Sequence, residues 1–192
     1  MKVGGVIIAG GQSRRMGDDK LQVRIRGERL IDLVVSRLNP QVDRLAINAN
    51  DGLERFELLG LPCIADGELF RNLPMAGLHA ALRWAGECGF SHVLTSTGDT
   101  PFLPSDLRAR LAGDGTTAVA ASGGRTHFLT GLWRSDFLPV LERGAAAIHR
   151  AEDVARLAGA RVVSWSEEIE DPFFNINTPE DLAEARRRAG GK

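Results

Sequence analysis

The chain has little that would reveal its class directly. Among its 192 residues there are only two cysteines, Cys63 and Cys88, in no metal-like spacing. A disulfide framework is therefore not expected, and a reducing cytoplasm is the expected compartment. Lysine and arginine total 24 against 25 aspartates and glutamates, a formal net charge of −1. No global basic field draws the chain to nucleic acid. No apolar run approaches ~18 residues, so no membrane helix is expected. The opening "MKVGGVIIAGG" loosely imitates a signal peptide. Its apolar run is short, contains glycines and meets charge at once, so it reads as a buried strand. Internal repeats, low-complexity tracts and linkers are also missing. With 43% apolar residues, the expectation is one domain, 1–192, large enough to bury a core without staples.

What is present is an alternation of strand-length apolar runs with helical patterns. "VGGVIIA" (3–9), "RLAIN" (44–48), "LPCIA" (61–65), "HVLTST" (92–97) and "ARVVSW" (160–165) read as strands. "LIDLVVSRL" (30–38) carries apolar residues at 30, 31, 34, 35 and 38, one face of a helix. "MAGLHAALRWAGE" (75–87) and "SDLRARL" (105–111) are helical, the second with Ser105 as its expected N-cap. "TTAVAAS" and "THFLTGLW" flank Ser122-Gly123-Gly124-Arg125, a hairpin turn. Two further helical stretches follow, the first interrupted by Pro139. The last helix begins at "NTPEDL", with Thr178 as N-cap and Pro179 in its first turn. This order predicts a Rossmann-like α/β/α fold whose sheet is mostly parallel, with one antiparallel excursion at the hairpin. Ligands of such sheets bind outside the carboxyl ends of the strands, so the residues that follow strands carry the interest.

The familiar phosphate loops fail at the first of these places, "VIIAGGQSRRMGDDK". A Walker loop needs glycine before its lysine and a hydroxyl after it, but Lys20 stands between Asp19 and Leu21. Gly10-Gly11-Gln12 does not supply the dinucleotide fingerprint either. The residue types still suit a nucleotide. Glycines allow close backbone approach, and Arg14, Arg15 and Lys20 can meet phosphate charge. By residue type alone, a nucleotide cradle and a solvated basic turn fit equally well. Elsewhere Asp99 follows the fourth strand, and Asn48 and Asp66 end the second and third. A carboxylate at a strand end suits Mg²⁺, and amide with carboxylate suits a guanine edge. Turn-capping serves each of the three as well.

The motifs together resemble the nucleotidyltransferase family that contains the molybdenum cofactor guanylyltransferases. "IIAGGQSRRMGDDK" is similar to its L-x-G-G-x-S-x-R-M-G-x-x-K signature, with Ile8 where leucine is usual. Ala9-Gly10-Gly11 resembles the guanylyl form, whereas cytidylyl relatives carry A-A-G. "TGDTPFLP" is similar to P-C-D-T-P-F-L-P, with Thr97 and Gly98 for proline and cysteine. "LPMAGL" is similar to G-P-L-A-G-L, and "NINTPEDL" to N-x-N-T-P-E-D-L. The resemblance implies a nucleotide site of Ile8, Ala9, Gly10, Gly11, Arg15, Lys20, Asn48, Asp66, Gly77 and Asp99. Within it Lys20 meets the phosphates and Asp99 binds Mg²⁺. Lys20 and Asp99 are the catalytic pair, and Asn175 and Asn177 contact the acceptor.

The implied reaction is transfer of GMP from GTP to molybdopterin, already carrying molybdenum, with release of pyrophosphate. No general base is called for, because the acceptor phosphate is already ionised. A cytidylyltransferase, a sugar-phosphate nucleotidylyltransferase and a non-catalytic GTP-binding delivery partner are the alternatives. The partners expected are GTP, molybdopterin, other cofactor-biosynthesis proteins and molybdoenzymes, around a monomer. Lys20 reads as a loop lysine carrying little of the core, and Cys63 as core. His127, where the family often shows H-P, reads as a strand histidine, with acceptor contact as the alternative. No Ser-His-Asp nucleophile is expected.

Overall fold

A computed structural model describes residues 1–10, 20–166 and 170–190. Its centre is a seven-stranded sheet. The strands are β1 (Val3–Ile8), β4 (Arg44–Asn48), β5 (Cys63–Ile64), β6 (His92–Thr97), β7 (Ala118–Ser122), β8 (Arg125–Arg134) and β9 (Arg161–Trp165). They lie in the order β5-β4-β1-β6-β8-β7-β9. Only β8 runs against its neighbours; the β1–β4, β1–β6, β4–β5 and β7–β9 pairings are parallel. A small hairpin, β2 (Arg24–Ile25) and β3 (Glu28–Arg29), stands apart; the sequence reading does not anticipate it. The helices are α1 (Leu30–Leu38), α2 (Ala76–Glu87), α3 (Leu107–Ala112), α4 (Leu138–Arg143), α5 (Ala151–Leu157) and α6 (Pro179–Gly190).

The central strands read as continuous apolar runs because both faces of the sheet are covered. Val6, Ala46, Val93, Val119 and Trp133 face a core shared with Leu78 and Leu82 of α2 and Leu141 of α4. Their chain neighbours Ile7, Leu45, Leu94, Ala118 and Leu132 face the other core, with Ile31 and Val34 of α1 and Leu107 and Leu111 of α3. The period-two alternation of each strand thus feeds two layers of helices. A third cluster joins Ile25, Leu30, Ile176 and Ala185, and so docks α6 on the small hairpin and α1.

Local chemistry explains the turns. Gly123 and Gly124 have φ of 52° and 71°, and Ser122 pairs with Arg125. Two consecutive left-handed residues make the turn that matches strand twist. Helix α6 is capped reciprocally: Thr178 Oγ1 accepts the Asp181 N–H at 3.1 Å, and Asp181 Oδ2 accepts the Thr178 N–H at 2.9 Å.

Three local expectations are corrected. Helix α3 begins at Leu107, and Ser105 does not cap it. Strand β5 has two residues rather than five, at the edge of the sheet. With no strand beyond it, Cys63 is exposed rather than core. Desolvation still pushes the Cys63 thiol up from its ordinary value, so it is no activated nucleophile. No helix among the described residues is long and apolar enough to cross a membrane.

Candidate active site

Strands β5, β4, β1 and β6 are successive neighbours and run the same way. Their carboxyl ends therefore bring Asp66, Asn48, Gly10 and Asp99 to one edge. Backbone bonds continue the ladder past the strand ends. The Ala49 N–H donates to the Ile64 carbonyl at 3.0 Å, Ala9 N–H to Asn48 at 2.9 Å and Gly98 N–H to Ile8 at 3.0 Å. This framework fixes the ends relative to one another before any side chain contributes. The chain runs outward from β1 through β4 to β5 and then crosses back, by way of α2, to β6 on the other side of β1; ligands bind at such a switch point.

The first group of side chains surrounds Lys20. Its Nζ donates to Asp99 Oδ2 and to Asn177 Oδ1, both at 2.7 Å. Asp99 Oδ1 accepts the Thr97 hydroxyl at 2.6 Å, and the Asp99 carbonyl accepts the Ile176 N–H at 3.0 Å. The Lys20 and Asp99 side chains are only 8% and 17% exposed. The expectation of a loop lysine with little structural part is overturned: Lys20 is buried and held by residues from two distant segments. Asn177, expected to face the acceptor, reaches the same lysine; Asn175 is half-buried nearby in sequence and takes no part in this group.

Among the described residues no cluster of three metal-binding side chains occurs. A Mg²⁺ ion fits Asp99 nonetheless. That ion tolerates few protein ligands when phosphates supply the rest. Each carboxylate oxygen retains a lone pair beside its single hydrogen bond.

The second group surrounds Asn48, which is 1% exposed. Its Nδ2 donates to the Ile64 carbonyl at 3.2 Å and to Asp66 Oδ1 at 2.9 Å. Its Oδ1 is buried without a partner. Gly77, in the first turn of α2, packs directly on this oxygen. A Cβ there would collide with Oδ1 and stand 2.7 Å from Ile8 Cγ2. A Cβ on Gly10 would lie 3.6 Å from the same atom. The two glycines therefore allow close approach of the backbone to an acceptor that lacks a donor.

Asn50 was missed by the sequence reading. Its Nδ2 donates to Asp66 Oδ2 at 2.7 Å, and its Oδ1 accepts the Asp66 N–H at 2.8 Å. The signal was available in "NAN", since residues two apart at a strand end share a face.

Of the other site residues expected, Ile8, Ala9, Gly10 and Gly77 line the same edge. Gly11 and Arg15, with Arg14, lie outside the described residues. His127 contacts Ser122 rather than Lys20 or Asp99.

Known proteins resemble this chain over nearly its whole length. The molybdenum cofactor guanylyltransferase of Rhodobacter capsulatus is 44% identical over 189 residues, covering 98% of this chain and 97% of that protein. The protein of the same name from Cereibacter sphaeroides is 43% identical over 192 residues, 96% of each. Among solved structures, the molybdopterin-guanine dinucleotide biosynthesis protein A from Archaeoglobus fulgidus superposes with a TM-score of 0.69 at 24% identity, covering 100% of both chains. A 4-diphosphocytidyl-2C-methyl-D-erythritolsynthase from Anaerococcus prevotii reaches 0.75 at 12% identity, covering 98% of this chain and 96% of that one, a likeness of fold alone. The model of the MobA-like NTP transferase domain matches residues 5–164. Since that match takes in every strand end of the site, and the relatives align over nearly the whole length, the chain belongs to the MobA-like NTP transferase domain family.

Proposed function

We propose that the chain transfers GMP from GTP to the terminal phosphate of molybdopterin, forming the guanine dinucleotide cofactor. A phosphate oxygen of the acceptor attacks the α-phosphorus of GTP. The bond from that phosphorus to the β-phosphate oxygen breaks, and pyrophosphate leaves. The observation that carries the guanine reading is the buried, unpartnered Asn48 Oδ1 beside the Asp66 carboxylate. Both are acceptors, and guanine offers two donors on one edge, the ring N–H and the 2-amino group. The names of the close relatives point the same way.

Lys20 is placed to meet phosphate. Asp99 and Asn177 engage two of its three hydrogens, and a third remains for an incoming oxygen. The acceptor phosphate is ionised, so the protein need not remove a proton. Its task is positioning and charge neutralisation. When bound, Mg²⁺ on Asp99 would screen the triphosphate and the departing pyrophosphate.

A nucleotide panel followed by thermal melting tests the assignment. GTP at ~100 times its Kd should add about 2.7 kcal/mol of stability, while CTP and ATP should add little. A buried acceptor such as Asn48 Oδ1 facing the wrong base edge costs about 1–3 kcal/mol. Equal stabilisation by CTP would transfer the chain to the cytidylyl branch. Release of pyrophosphate from GTP only when molybdopterin is present would separate an enzyme from a GTP-binding delivery partner.

Asn50 gives a sharper check of the base end. Asn50→Ala should weaken GTP binding about 5–10-fold by calorimetry, because Asp66 Oδ2 loses its donor at an exposed position. Unaltered affinity would mean that Asn48 alone orients the carboxylate.

A further inference from the structure

A second polar cluster lies at the same sheet edge, across the antiparallel β8. Ser122 ends β7 and is 3% exposed. Its Oγ donates to Asp171 Oδ1 at 2.7 Å and lies 2.8 Å from His127 Nε2. A hydroxyl has one hydrogen, and a carboxylate only accepts. That hydrogen therefore goes to Asp171, and the imidazole must donate its Nε2–H to Ser122. The result is a directional chain from His127 through Ser122 to Asp171, in which each bond polarises the next. The direction is wrong for nucleophilic catalysis, because no lone pair of the imidazole faces the serine hydrogen. Burial lowers the His127 pKa, against the pull of the Asp171 charge and with a smaller push from Arg125. Nε2 remains a donor in either protonation state, so the chain persists when the ring titrates.

What this chain of bonds holds is the segment leading to the active site. Asp171 Oδ1 also accepts the Phe173 N–H at 2.9 Å, and the Asp171 carbonyl accepts the Phe174 N–H at 3.3 Å. Phe173, 1% exposed, packs on His127 with ring centroids 4.9 Å apart and edge-on to Trp165 at 5.2 Å. Ile176 N–H then reaches the Asp99 carbonyl, and Asn177 reaches Lys20. The segment 171–177 is thus fastened to the β7–β8 hairpin at one end and to the Lys20–Asp99 pair at the other.

We infer that Asp171, held by Ser122 and His127, is a positioning residue that sets where Ile176 and Asn177 stand against Asp99 and Lys20, and hence where the acceptor phosphate is received. The functional half of this inference rests on the proposed reaction; the structural half does not.

Two variants of the full chain and two readouts test it. Asp171→Ala removes the anchor. Asp171→Asn keeps an oxygen that can accept from Ser122 and from the Phe173 N–H. Without substrate, amide exchange at Ile176 and Asn177 should be about tenfold or more faster in the alanine variant and close to wild type in the asparagine variant. In steady-state assays well below the melting temperature, the alanine variant should lose about tenfold in kcat, or gain that factor in the KM for molybdopterin. Its KM for GTP should stay within about twofold, and the asparagine variant should recover most of the loss. Unchanged exchange at Ile176 in Asp171→Ala would overturn the inference whatever the turnover. So would an asparagine variant as impaired as the alanine one, or an equal loss toward both substrates. If Asp171→Ala does not fold, Ser122→Ala, which removes only the hydroxyl, takes its place with the same expected outcomes. A wild-type chain inert toward GTP and molybdopterin would sink the proposed reaction alone, and the exchange comparison would then decide the anchoring.

Discussion

Asp99→Asn is expected to lower turnover at least ~100-fold, about 2.7 kcal/mol of transition-state stabilisation, while the chain still folds with some loss of stability, because the Lys20 ammonium, 8% exposed, loses its counter-charge. The geometry makes this substitution unusually clean. An asparagine oxygen can take over the Lys20 hydrogen bond, and its amino group then faces Thr97 Oγ1, which can turn its own hydrogen away and accept. Shape and hydrogen bonding are conserved and only the charge is lost. A neutral amide is a poor ligand for Mg²⁺, and it no longer offsets the ammonium of Lys20. Steady-state turnover and thermal melting, measured together, check this. Near-normal turnover at ordinary Mg²⁺ concentrations would remove Asp99 from the catalytic pair and leave Asp66 or the substrates to hold the metal.

Lys20→Ala should be damaging in two ways at once. Turnover should fall by ~100-fold or more, since the ammonium is the group placed to meet the phosphates. Stability should fall as well, by about 1–3 kcal/mol. Breaking a fully buried pair costs ~3–5 kcal/mol, and the Asp99 side chain, 17% exposed, recovers part of that by hydration. Lys20→Met separates the causes, because it restores the apolar stem without the charge. The methionine variant should regain part of the stability and none of the turnover. Activity retained in both variants would shift the phosphate charge to Arg14 or Arg15.

The elements that position the site were legible because each is buried in a simple pattern. Helix α1, β4 and β6 have the bounds that their apolar spacing predicts, since one face of the helix and both faces of the strands meet a core. Strand β5 was overextended because an edge strand carries no such demand. The two helical stretches between Ser135 and Leu157 are each a 3₁₀ turn followed by a short α-helix, and Pro139 sits in the first turn of α4 rather than interrupting it. Strand ends announced Asn48, Asp66 and Asp99 as candidates. What local patterns could not show is who holds whom. Lys20 and Asn177 lie 157 residues apart in sequence, and Ser122 and Asp171 lie 49 apart. Neither contact leaves a trace in periodicity or capping. The resemblance supplied ligand chemistry for Lys20 and Asn177 but gave no hint that the two side chains touch. The burial of Lys20 follows from those contacts, and so the lysine looked peripheral until they were seen.

The place of β1 in the sheet also has a kinetic consequence. Its partners are remote: Gly4 lies beside Arg44 on one side, and Val3 beside His92 on the other. Parallel pairing over such distances must close long loops before it gains any contact, which slows folding. The β7–β8 hairpin has the opposite economy of motion, with Ser122 paired to Arg125 across two residues. The hairpin is therefore expected to be in place early, while β1 waits for β6 before both of its sides are covered. Until then its apolar edge is open to other chains. The strand that ends just before Gly10 is thus the one most exposed to misassembly.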